Sequence, residues 1–177
     1  MVLPAFDARH GLAQRKIAAQ NCAMMRIRTF HRRDAAACQR VFLRAVHLGT
    51  APHYTAAERA AWAGEDVASD VWEARLSRQW TFVAKGLRGV EGFLTLGRDG
   101  HIDFLYVLPE QRRSGLAGQL YCAAVACAQR AGLRQLDTQA SHLARRFFEK
   151  RDWQVTARQS VIRNGVALTN FRMEKRL

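Results

Sequence analysis

The chain has 177 residues, 49% of them hydrophobic and only three of them proline, which is enough for one substantial core and too few for two, so one domain is expected. Lys and Arg number 28 against 15 Asp and Glu, a formal charge of +13 that attracts nucleic acid, acidic proteins and polyphosphate cofactors alike. No stretch approaches the roughly 18 apolar residues of a membrane span, and the four cysteines show neither a CxxC pair nor a His at zinc-ligand spacing. Membrane insertion and a metal site are therefore not expected, and the cysteines read as reduced, buried thiols of a cytoplasmic protein.

Asp7, Arg9, His10, Gln14, Arg15 and Lys16 interrupt any apolar core that a signal peptide would need, and Met24-Met25 directly precedes the first strand-like run. Residues 1–24 read as a flexible basic extension, and 25–177 as the single domain. Arg26 to Phe30 alternates like a half-buried strand. Asp34 is then placed to cap a helix to about His47, whose Cys38, Val41, Phe42, Ala45 and Val46 share one face. Thr55-Ala56-Ala57-Glu58 is a capping box that starts a second helix, and Ser69 to Arg78 reads as a third. The period then becomes that of strands. Thr81 to Lys85, Glu91 to Leu96 and His101 to Val107 are separated by turns containing glycine, and alternation in the last would put His101, Asp103, Leu105 and Val107 opposite Ile102, Phe104 and Tyr106.

A polar loop from Pro109 to Ser114 leads into a helix in which Leu116, Leu120, Ala123, Ala124 and Cys127 keep helical spacing up to Gly132. Arg134 to Thr138 reads as a strand, and Ser141 as the cap of a helix to about Lys150. Gln154 to Arg163 and Ala167 to Lys175 are two further strands, joined by the hairpin turn Asn164-Gly165. Arg112-Arg113-Ser114-Gly115-Leu116-Ala117 carries the chemistry. It opens a helix directly after a strand, where amides without helical partners can grip an anion. Gly115, Ala117 and Gly118 leave room for a phosphate, and Arg112 and Arg113 add charge. A triphosphate P-loop is absent, so a nucleotide diphosphate fits better.

Val107-x-Pro109-x-Gln111-Arg112-Arg113-Ser114-Gly115-Leu116-Ala117 resembles motif A of the GNAT acetyltransferase superfamily. Ser141-x-x-Ala144-x-x-Phe147-Phe148-Glu149-Lys150-x-x-Trp153 is similar to the Asn-x-x-Ala-x-x-Phe-Tyr-Glu-Lys-x-Gly-Phe segment common in the same superfamily. His53-Tyr54-Thr55, Trp62 and Thr169-Asn170-Phe171 look most like a small bacterial branch of it. The resemblance implies an α/β fold, with a central mixed, mainly antiparallel sheet splayed after the fourth strand and flanked by helices. It implies an acetyl-CoA-dependent N-acetyltransferase acting by direct transfer in a ternary complex, without a metal.

By that resemblance the acetyl-CoA pyrophosphate lies on the amides of Arg112 to Gly118, and its pantetheine arm beside Leu105, Tyr106 and Val107, with Ser141 and Phe148 also at the cofactor. The general base falls on Asp103 or His101. Imidazole titrates near neutrality, whereas a carboxylate needs burial to do so, and Asp103 is placed first on family position. His53, Tyr54 and Trp62 fall where the acceptor amine is shaped, its carrier being a small molecule or a protein, and the chain a monomer or homodimer.

Two other classes compete. A nucleic-acid module would suit the charge, but the sequence has no aromatic-interleaved basic strand, zinc spacing or helix-turn-helix pattern. An acetyl-CoA sensor without turnover is suggested by Phe148, which stands where the family carries a Tyr that protonates the departing thiolate. If that protonation limits the rate, Phe148→Tyr shifts the alkaline limb of the pH–rate profile, and an unchanged limb means that it does not.

Overall fold

The computed structural model describes residues 25–64 and 68–177, so the expected extension 1–24, with Cys22, lies outside the described residues. β-Branched and aromatic residues in alternation build seven strands: β1 (Arg26–Thr29), β2 (Trp80–Gly86), β3 (Gly89–Leu96), β4 (His101–Val107), β5 (Gln135–Ala140), β6 (Gln154–Arg163) and β7 (Val166–Arg176). They form one sheet in the order β1-β2-β3-β4-β5-β7-β6. Every neighbouring pair is antiparallel except β4 and β5.

Helices α1 (Ala35–Arg44), α2 (Ala56–Ala63), α3 (Ser69–Ser77), α4 (Leu116–Arg130) and α5 (His142–Glu149) cover the sheet, and α1 runs on into a wider π turn at Ala45–Gly49. Two separate apolar clusters result. On one face Leu116, Leu120 and Ala124 of α4 pack with Leu94, Leu96, Ile102 and Phe148. On the other, Cys38, Val41 and Phe42 of α1 and Trp72 and Leu76 of α3 pack with Phe93 and Phe104.

Local signals in the sequence account for the element ends. Thr55 Oγ1 accepts from the Glu58 amide while Glu58 reaches back to the Thr55 amide. Ser141 caps α5 by accepting from Ala144. Asn164 and Gly165 both take positive φ, 47° and 76°, as a type I′ turn requires.

Asp34 behaves differently from the expectation. Its carboxylate does not cap α1 but turns back through a short 3-10 turn to accept from the His31 amide and, with both oxygens, from the Arg28 guanidinium at 2.6 and 2.8 Å. The bidentate geometry of Arg outcompetes a single capping bond. Cys122 is also not buried as expected. It sits on the solvent side of α4, Cys127 is intermediate, and only Cys38 of the described cysteines is buried.

Burial disfavours the charged form of Asp34, yet the Arg28 and His31 hydrogen bonds outweigh it and hold the carboxyl below its ordinary value. Its contribution is therefore present above the unfolded-state pKa and is lost as pH falls through the lower, folded value. Asp34→Asn should cost about 2 kcal/mol in urea unfolding at pH 7. The gap from wild type should close as the pH is taken below about 4.

Candidate active site

β4 and β5 begin as parallel neighbours but pair at only two positions, His101 with Asp137 and Ile102 with Thr138. Thr138 Oγ1 donates to the Ile102 carbonyl and closes the ladder there. β3 meanwhile stays paired with β4 as far as Val107. The edge of β4 from Asp103 to Val107 thus has no strand neighbour on the β5 side, and the sheet splays between its fourth strand and β5. Unpaired strand edges offer peptide groups to a ligand that can pair like a strand.

A bulge in the β3–β4 ladder reverses half of the expected facing. Leu96 pairs with Ile102 and Thr95 with Phe104, which leaves Asp103 as the extra residue. Ile102, Leu105 and Val107 pack on the α4 side, and His101, Asp103, Phe104 and Tyr106 line a cleft on the other. The strict alternation that grouped His101 and Asp103 with Leu105 and Val107 is overturned by this one inserted residue.

The loop beyond β4 is held from behind. Arg112 donates to the Gly49 carbonyl at 3.1 Å, Arg44 pairs with Glu110, and Gln111 donates to the buried Glu91 carboxylate. Arg113 and Gly115 adopt left-handed φ of 64° and 88°, a backbone that turns successive amides the same way. Ser114 Oγ donates to the Gln111 carbonyl and accepts from Leu116. The first bond into α4 runs from Gln119 to Gly115. Within the described residues the amides of Arg113, Gly115, Ala117 and Gly118 find no acceptor, and they form the positive end of a 15-residue helix. Leu116 is core, 1% exposed.

Arg151, which sequence reasoning passed over, lies against this helix start. Its guanidinium stacks 3.7 Å from the Phe147 ring centroid, donates to the Phe147 carbonyl and comes within 3.1 Å of where a Gly118 Cβ would be. Phe148 is buried at 1% exposure against Trp153 and Tyr121.

The cleft has a volume of about 580 Å³. Tyr54 and Trp62 line it in edge-to-face contact at 5.2 Å, and Ser141 lies at its β5 end. His53 does not join them. It borders a separate groove with His142, Arg145 and Arg146. Tyr54 is 5% exposed, and its hydroxyl accepts from the His142 amide and donates to the Thr169 carbonyl.

Both catalytic candidates have partners that the linear sequence hides. Arg75 makes two bonds to the Asp103 carboxylate, at 2.9 and 3.1 Å, Gln79 adds a third, and Arg75 also covers the Phe104 ring. These partners stand 28 and 24 residues upstream. His101 Nδ1 lies 2.6 Å from Asp137 Oδ2, a contact set by the two-residue parallel register. Burial raises the Tyr106 phenol above its usual range, and Trp62 opposes the shift with a hydrogen bond. Asn170 donates to Gln139 while its own Oδ1 is buried without a partner among the described residues.

A family model described as an acetyltransferase (GNAT) domain matches residues 50–175. The chain is also 30% identical over 149 residues to the uncharacterized N-acetyltransferase YafP of Escherichia coli (strain K12), covering 84% of this chain and 94% of that protein. The chain belongs to the GNAT acetyltransferase family. A crystal structure of a GCN5-related N-acetyltransferase from Rhodopseudomonas palustris superposes with a TM-score of 0.81 at 33% identity, over 86% of this chain and 95% of that one. A Salmonella typhimurium protein, yncA, described as a putative acetyltransferase with its cofactor acetyl-CoA, shares the fold at a TM-score of 0.67 and 19% identity, over 86% and 93% of the two chains. The chain is thus an acetyltransferase with a GNAT fold, and no helix among its described residues is long and apolar enough to cross a membrane.

The thiols differ in a way that bears on any covalent route. Burial pushes the Cys38 thiol up to about 12, while Cys122 is exposed on α4. Alkylation of native protein at pH 8, mapped by peptide mass spectrometry, should label Cys122 within minutes and Cys38 only on unfolding.

Proposed function

We propose that this GNAT protein binds acetyl-CoA and transfers its acetyl group directly to a primary amine within a ternary complex. The observation that carries this reading is the meeting of the open β4 edge with the unpaired amides at the start of α4. Pantetheine amides can pair along Asp103 to Val107, and the pyrophosphate then falls on the amides of Arg113, Gly115, Ala117 and Gly118, with Arg113 and Arg151 beside it. Arg112 supports the loop through Gly49 and contributes charge at longer range. The Salmonella protein that shares this fold is described with acetyl-CoA as its cofactor, which supports acetyl-CoA as the donor.

The cleft opens on the β4 edge, so an amine seated there meets the thioester. His101 is the better base of the two candidates. Asp103 is engaged at both oxygens by Arg75 and Gln79, whereas Asp137 orients the His101 ring from Nδ1 and leaves the other nitrogen to accept. The amine nitrogen forms the C–N bond as the C–S bond breaks, and the amine proton leaves to His101. The thiolate takes a proton from solvent, which suffices because a thiol with pKa near about 8.5 is a tolerable leaving group. Tyr54 is not available for that step, since its proton is committed to the Thr169 carbonyl. The His101–Asp137 pair at the cleft favours turnover over a sensor that only binds.

Calorimetry should give micromolar binding of acetyl-CoA, and thiol release should appear with an amine panel. His101→Ala should lower kcat about 100-fold with the acetyl-CoA affinity unchanged. Absence of acetyl-CoA binding overturns the reading, and binding without release by any amine supports the sensor instead.

A further inference from the structure

The donor grip and the cleft leave His53 and the adjacent arginines Arg145 and Arg146 without a role, and the fold brings them together. Pro52 and His53, from the loop before α2, face His142, Arg145, Arg146 and Glu149 of α5 across a groove of about 500 Å³. Positions 142, 145, 146 and 149 follow the i, i+3, i+4, i+7 spacing of one helical stripe. That stripe is not the flank of α5 that meets the donor grip. Phe147 and Arg151 turn toward α4, Phe147 edge-on to the Tyr121 ring at 5.9 Å with Arg151 stacked on it. His142 and Arg145 turn toward β7 instead, His142 edge-on to Phe171 at 5.0 Å and the Arg145 guanidinium 4.6 Å from the same ring centroid.

These contacts hold the polar groups in place. The His142 ring packs against both Phe171 and Tyr54. Arg145 uses only its Nε on Glu149, at 2.6 Å, so its terminal nitrogens have no acceptor among the described residues. Arg146 has no acidic partner among the described residues. The two arginines therefore exceed Glu149 by one positive charge inside the groove. Arg158 of β6 and Glu58 of α2 act on His142 from outside it with opposite signs. Burial, and then the charges of Arg158, His53, Arg145 and Arg146, hold His142 below the ordinary imidazole value. An anion seated among these groups relieves that repulsion.

Phosphate suits the donors. It is tetrahedral, carries close to two negative charges near neutrality and offers three oxygens to guanidinium and imidazole N–H groups arriving from two segments, whereas a planar carboxylate is satisfied by one guanidinium fork.

We propose that the groove between His53 and α5 is a phosphate-binding site, separate from the pyrophosphate grip at the start of α4. Tyr54 stands between groove and cleft, its ring lining the cleft and its hydroxyl accepting from the His142 amide, so the phosphate is either a free ion or one carried on the acceptor. A dianion meeting one net positive charge draws a proton onto an imidazole, and binding tightens as pH falls.

Inorganic phosphate and sulfate are titrated calorimetrically into the protein, alone and saturated with acetyl-CoA. Both should bind in either state, and sulfate, whose own charge does not change, should bind about 5-fold more tightly near pH 6 than near pH 8. His53→Gln combined with His142→Gln should flatten that dependence. Arg146→Glu should weaken both anions about 10-fold with the acetyl-CoA affinity unchanged, and Arg146→Lys should keep most of the binding. Aminoalkyl phosphates that react with a lower KM than their parent amino alcohols, and that inorganic phosphate inhibits competitively, assign the phosphate to the acceptor. Equal KM values with phosphate binding intact assign it to a free ion. Absence of binding, binding indifferent to Arg146→Glu, sulfate binding that does not tighten at the lower pH, or displacement of phosphate by acetyl-CoA overturns the proposal. A protein that binds phosphate but not acetyl-CoA keeps this site and loses only the transfer reading, so the two failures are distinct.

Discussion

Parallel pairing that stops after two residues leaves five residues of a central strand with one edge open, and a chain tolerates this only if those residues are held from every other side. β3 secures the opposite edge of β4 through Val107. Below, α4 packs against Ile102, Leu105 and Val107, and above, α1 packs against Phe104 and Tyr106. Gly100 makes the start of the ladder feasible, since its φ of 95° and a Gln135 carbonyl only 2.6 Å from any added Cβ admit nothing larger. The two apolar clusters exist because the sheet between them must stay rigid while its centre stays unzipped. The loop supports at Gly49, Glu91 and Glu110 then fix the α4 amides relative to that edge.

Much of this order was legible. Periodicity located each strand to within a few residues, the Asn164-Gly165 hairpin and the Thr55 and Ser141 caps were local signals, and the string Arg112 to Ala117 marked the helix start with its free amides. These features are short range, so composition and spacing carry them.

What escaped the sequence depended on contacts between distant segments or on a single extra residue. The bulge at Asp103 has no signature in its own strand, because it is a property of pairing with Thr95 and Leu96, and it decides which side chains share the cleft. Arg75 reaches Asp103 from α3 and Gln79 from the turn that follows it, and Asp137 reaches His101 only through the parallel register. Asp34 shows the same limit, since a plausible cap was drawn away by an arginine on the preceding strand.

The hairpin of β6 and β7 forms one wall of the cleft, yet β6 has a single strand neighbour and its residues are largely exposed. The grip proposed for the donor belongs to β4 and α4, whereas Asn164 at the hairpin tip lines the cleft opposite Asp103, Phe104 and Tyr106. The fold thereby separates heredity of chemistry from choice of target: lineages can rewrite the hairpin wall residue by residue while the acyl donor and the way it is handled pass on unchanged.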